Sequence, residues 1–149
     1  MVGKLKERAE KIKQGNPLDP ATTMGAMVDV NHAKKVEEFL NVGKAEAKLI
    51  TGGDRFSIND SDAFIQPTIF ADVSEDATIA RDEIFGPVLA IQTFDTDDEA
   101  IKMANKSIYG LAASVWTSDL ARAMDLSDKL HVGTVSVSYT HLRAHETSG

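Results

Sequence analysis

The sequence predicts an α/β fold built from alternating strand and helix units that form a mostly parallel sheet. Three observations carry this reading. From Val88 to Val137, apolar β-prone runs alternate with segments of helical period. Between the runs stand helix-start signals, Thr96-Asp97-Asp98-Glu99 and Ser118-Asp119, as in strand–helix–strand crossovers. The 149 residues, 42% of them hydrophobic, suffice for one domain with a real core.

Val2, Leu5, Ala9 and Ile12 recur at helical spacing and predict an amphipathic helix over 2–13. Gly15 stops it, and Asn16-Pro17-Leu18-Asp19-Pro20 makes a turn or extended loop. Asp29 caps a second helix through about Lys44, with Val36, Phe39, Leu40 and Gly43 on one face. Leu49–Thr51 is a short strand ending at Gly52-Gly53, and the polar residues 54–62 form a surface loop. Phe64–Phe70 is extended. Pro67 cannot donate to a ladder, so an edge or bulged strand is expected. Ser74–Asp82 is a short helix and 88–94 a strand. Thr96 and Glu99 form a capping box, on a helix that buries Ala100, Met103 and Ala104. Leu111–Trp116 is a strand, and Ser118 or Asp119 caps a helix whose inner face carries Leu120, Ala123, Met124, Ser127 and Leu130. Val132–Val137 is the last strand, and residues 138–149 read as a tail foreign to the fold.

Net charge is −7, which disfavours nucleic-acid binding through phosphates. No apolar run reaches membrane-spanning length, and the basic start lacks a signal peptide's apolar stretch, so the expected home is the cytoplasm. There is no cysteine, which removes disulfides, thiolate metal sites and a cysteine nucleophile from this chain.

The most informative stretch is Glu83-Ile84-Phe85-Gly86-Pro87-Val88. A carboxylate is acceptor-only and can receive both hydroxyls of a ribose diol. Phe85 can present a face to a flat, cationic ring. Gly86 permits close approach, and Pro87 fixes the entry into a strand. The plainer alternative is a solvated Glu beside a core Phe. His32 and Lys35 could meet a polar ligand such as adenine or its ribose, although a solvated helix face explains them as well. His141, His145 and Glu146 lack the metalloprotease order, and Asp95, Asp97, Asp98 and Glu99 lack a calcium loop's glycine, so no metal is expected. Acids at a helix start answer the helix dipole. No phosphate-cradling glycine loop and no nucleophile elbow occur.

Residues from about Lys4 to Val137 resemble the aldehyde dehydrogenase superfamily, in the C-terminal part of its catalytic domain. The matching stretches are Gly15–Pro20, Met24–Asp29, Phe64–Phe70, Arg81–Val88, Ala104–Leu111, Val115–Leu120 and Gly133–Val135. Within the superfamily the chain looks closest to the bacterial branch that oxidises γ-glutamyl-γ-aminobutyraldehyde in putrescine breakdown.

The resemblance implies oxidation of an aldehyde to a carboxylic acid with NAD or NADP, through a cysteine thiolate and a glutamate base. It implies that Glu83 binds the nicotinamide ribose, that Phe85 lies near the nicotinamide and that Leu111 lines the same end. It sets Lys35 near the adenosine end, with His32 a weaker match where relatives often carry Gln. No catalytic residue of the family falls within this chain. Residues 1–137 are therefore expected to be a partial catalytic domain, inactive alone. The full-length enzyme would be a homo-oligomer acting on a small aldehyde, with neither nucleic acid nor membrane as partner. A stand-alone nucleotide-binding or structural module reusing this fold is the alternative. The parallel strands are expected to leave open edges that favour association.

Overall fold

The computed structural model describes residues 1–138, which fall into two compact units, one of Met1–Thr93 and one beginning at Phe94. The tail beyond Ser138, with His141, His145 and Glu146, lies outside the described residues.

The first unit is organised around one long helix. Helix α1 spans Val2–Glu10 and turns Val2, Leu5 and Ala9 inward. The chain then reverses through 16–20, where the Asn16 and Asp19 side chains accept from the amides of Leu18 and Ala21. Asp29 caps helix α2, Val30–Glu46, by accepting from the His32 amide at 2.8 Å. One face of α2 buries Ala33, Val36, Leu40 and Gly43, while Phe39 is only half-buried. That face packs on Ala63, Ile65, Phe70, Val73, Ala77 and Ile79 to make the core. Each fully buried side chain of Leu40 or Phe70 size contributes roughly 1.5–3 kcal/mol.

Strand β1, Lys48–Thr51, pairs antiparallel with β4, Thr68–Ala71, and β4 pairs parallel with β5, Val88–Ala90. The order is β1-β4-β5, so β4 is the central strand and is buried along its whole length. Two expectations are corrected between β1 and β4. Residues 54–62 are not a loop: Arg55–Ile58 (β2) and Ser61–Ile65 (β3) pair as an antiparallel hairpin. Its turn, Asn59-Asp60, has both φ positive, at 50° and 63°, the two-residue geometry that matches strand twist. Phe56 and Phe64 then meet across the strands, ring centroids 5.8 Å apart. Nor is 64–70 one edge strand. Gln66-Pro67 divides it between two sheets, and Pro67 stands in the break rather than in a ladder. Thr68 is 1% exposed, yet its hydroxyl donates to the Gln66 carbonyl and accepts from the Gly53 amide, so no polar atom there is stranded.

Helix α3 is a single turn, Thr78–Arg81, shorter than expected, and has no side-chain cap of its own. The cap comes from the far end of α2. Glu46 accepts from the Thr78 amide at 2.8 Å and from its hydroxyl at 2.7 Å. Strand β5 is likewise three residues rather than seven.

In the second unit, helix α4 is Asp97–Asn105, β6 is Ala112–Trp116, helix α5 is Leu120–Lys129 and β7 is Thr134–Ser138. Strands β6 and β7 pair in parallel over five residues with α5 between them in sequence, the expected crossover unit. Thr96 caps α4 through the Glu99 amide, but the Glu99 carboxylate reaches the Asp95 amide rather than that of Thr96. Asp119 caps α5. Ala104 is exposed, contrary to expectation, while Ile101 takes a half-buried position. On α5 only Ala123 is fully buried, and Leu120 and Met124 lie exposed. Asn105 joins the ends of the two helices, donating to the Lys129 carbonyl and accepting from the His131 amide, both at 2.8 Å.

Candidate functional site

The loop from Asp82 to Pro87 links α3 to β5, and α2 holds it from one side. Gly86 sits against Val36, and a Cβ at Gly86 would come within 2.9 Å of a Val36 methyl. A side chain there would force helix and loop apart. Pro87 offers its carbonyl to the Thr68 amide at 2.9 Å, and the Val88 amide donates to Gly86 at 2.8 Å. The loop is thus stitched to the central strand on one side and pressed on α2 on the other.

Between them stands Phe85. Its φ of 54° lies in the left-handed region, costly for a bulky side chain, and the residue is 73% exposed. The His32 imidazole lies edge-on to that ring, centroids 6.1 Å apart, with Nε2 2.8 Å from the Phe85 carbonyl oxygen. A carbonyl has no proton to give, so Nε2 carries the hydrogen and donates. Glu83, two residues before Phe85, is exposed, as is Lys35, one turn beyond His32. Leu111 is 87% exposed at the start of β6 in the second unit.

Of the five candidate residues, the structure brings His32 and Phe85 into contact and leaves Glu83 and Lys35 exposed in the same unit. It also adds residues that sequence reasoning did not assign. A cavity of about 540 Å3 opens beside Phe85, Gly86 and Pro87, walled by Gln14, Ile65 and the Met24–Met27 stretch. Gln14 is fixed there by the hydrogen bond that its side-chain Nε2 donates to the Ile65 carbonyl at 2.8 Å. The signal for this wall was present, since Met24–Asp29 carries part of the family resemblance, but nothing local gave it a role.

The residue types at this loop are ones that could hold one end of a dinucleotide. An exposed carboxylate and an exposed ring occur two residues apart on a clamped loop beside an apolar cavity. The carboxylate suits a ribose diol and the ring a flat heterocycle. The unit that presents this loop is a mixed α/β one, with the loop at the entrance to a strand.

Comparison with known proteins fixes the family. The signature of the Aldehyde dehydrogenase family matches residues 1–148, and the chain belongs to that family. The NADP/NAD-dependent aldehyde dehydrogenase PuuC of Escherichia coli (strain K12) is 44% identical over 134 residues, covering 90% of this chain and 26% of that protein. The gamma-glutamyl-gamma-aminobutyraldehyde dehydrogenase from Burkholderia cenocepacia J2315 superposes with a TM-score of 0.87 at 45% identity, covering 95% of this chain and 29% of that one. A betaine aldehyde dehydrogenase from Staphylococcus aureus, solved in complex with NAD+, gives a TM-score of 0.86 at 38% identity over 94% of this chain and 28% of that one. The chain thus spans under a third of the length of these relatives.

Proposed function

We propose that this chain forms the nicotinamide-ribose wall of an NAD(P)-dependent aldehyde dehydrogenase that oxidises a small aldehyde to its carboxylic acid. The observation that carries the proposal is the Glu83–Phe85 pair, both exposed, on a loop clamped between α2 and β4. Glu83 accepts hydrogen bonds from the ribose hydroxyls, and Phe85 covers the nicotinamide. Lys35 reaches towards the adenosine end. When bound, the nicotinamide supplies the hydride acceptor. The residues of this chain hold and orient it; a thiolate nucleophile must come from residues outside a sequence that has no cysteine.

The same reading makes the full-length enzyme a cytoplasmic homo-oligomer, without nucleic acid or membrane as partner. The net charge of −7 disfavours binding to phosphate backbones, and among the described residues no helix is long and apolar enough to cross a membrane.

The test is a chimera in which residues 1–138 replace the matching segment of the Escherichia coli relative. Retained NAD+-dependent aldehyde oxidation supports the reading, and a folded but inactive chimera overturns it. In an active chimera, Glu83→Gln is expected to raise KM for NAD+ roughly 10-fold or more, as loss of hydrogen bonds to a charged acceptor implies. An unchanged KM removes Glu83 from the ribose site.

A further inference from the structure

We propose that His32 is a positioning residue: it holds Phe85 in its left-handed backbone conformation and thereby sets the attitude of the ring. The proposal rests on the reading of the Glu83–Val88 loop as a dinucleotide wall.

Phe85 has little reason of its own to stay as it is. The residue is 73% exposed, so burial does not hold it, and a φ of 54° is unfavourable for an aromatic residue. Some other contact must favour this conformation. His32 touches both halves of Phe85, bonding its carbonyl and meeting its ring edge-on. The backbone that carries the imidazole is fixed at the helix start, because the His32 amide is the one that Asp29 caps. Four residues on, on the same face of α2, Val36 abuts Gly86 and stops the loop from sliding towards the helix. Because Nε2 is committed to Phe85, His32 acts on a dinucleotide through Phe85 rather than by offering that nitrogen to the ligand.

The experiment uses the isotope-labelled chain and three variants: His32→Ala, His32→Phe (ring kept, donor lost) and His32→Gln (ring lost, donor kept). The HN–Hα coupling and the α- and β-carbon shifts of Phe85 report its φ, and far-UV circular dichroism checks that α2 persists. Loss of the left-handed signature in His32→Ala and His32→Phe, with recovery in His32→Gln, is the expected result. A left-handed signature retained in both donor-free variants overturns the proposal. Titration with NAD+ separates this from the functional reading. The donor-free variants should bind roughly 3- to 10-fold more weakly than the parent, the effect of one lost hydrogen bond. If Phe85 relaxes as expected but the parent shows no NAD+ binding, positioning stands and the dinucleotide reading loses its support. If the parent binds NAD+ while Phe85 and affinity are unmoved by the variants, the dinucleotide reading stands and positioning falls.

Discussion

At the scale of single residues, Phe85 states the trade most clearly. A left-handed conformation costs a non-glycine residue about 1–2 kcal/mol, and glycine carries an entropic penalty of roughly 0.5–1 kcal/mol. The two nearly cancel, and the ring has little burial to lose. Phe85→Gly is therefore expected to keep unfolding stability within about 1 kcal/mol of the parent while weakening dinucleotide binding. Urea denaturation checks the first part; a loss above about 2 kcal/mol would show that the ring packs rather than presents. Much of this was legible from local chemistry. Glu83, Phe85, Gly86 and Pro87 stand together in sequence, and their residue types already suggest a polar, flat ligand. The contact with His32 was not, because it joins positions 53 residues apart and depends on how α2 lies on the loop.

Among the elements, α2 shows packing overriding propensity. Gly43 sits inside a helix, where alanine would ordinarily gain about 1 kcal/mol. Here a Cβ would lie 2.7 Å from the edge of the fully buried Phe70 ring. Overpacking of this kind costs about 1–3 kcal/mol, so Gly43→Ala should be net destabilising. Pairing it with Phe70→Leu should return part of the loss in thermal melts. In the second unit, Arg122 donates to both carboxylate oxygens of Asp97, from Nε at 2.8 Å and from Nη2 at 2.5 Å. That hydrogen bond, with the attraction of Arg122 and Lys129, lowers the Asp97 pKa in the folded state despite some opposing desolvation. A depressed folded-state pKa gives stability present above the unfolded value and lost as pH falls through the folded one. Asp97→Asn should thus lower the melting temperature at neutral pH and reduce the acid sensitivity of melting; equal sensitivity in both proteins would contradict it. Caps were readable because Asp29, Thr96 and Asp119 act within three residues of themselves. The β2–β3 hairpin was missed because its polar residues, such as Ser57 and Asp62, face outward and bond each other, hiding a strand inside a loop-like composition. Strand β4 was misread as an edge because Pro67 lies just outside it, and only sheet order decides which strand is central.

For the whole molecule, the described sheets end in β1 and β5 and in β2 and β3 in one unit and in β6 and β7 in the other, with no further strand on their outer edges among the described residues. Leu49 and Leu89 are partly exposed on those edges, and Trp116 is 76% exposed on β6. Unpaired edges of this kind favour association. The chain is expected to elute from size exclusion as concentration-dependent oligomers, and a sharp monomer peak across a 100-fold dilution series (an order-of-magnitude range suited to weak contacts) would contradict this. One feature of the first unit bears on how its loop can move. Helix α2 takes hold of the same stretch of chain at two places, His32 near its start and Glu46 at its end. These anchor points lie about 21 Å apart along the axis, from a rise of about 1.5 Å per residue. The stretch they hold, Thr78 to Phe85, is bound to the helix at both ends, by the Glu46 carboxylate at the Thr78 amide and by the His32 imidazole at the Phe85 carbonyl. It is a strap buckled twice to one strut, so to swing away from α2 it must first release an end.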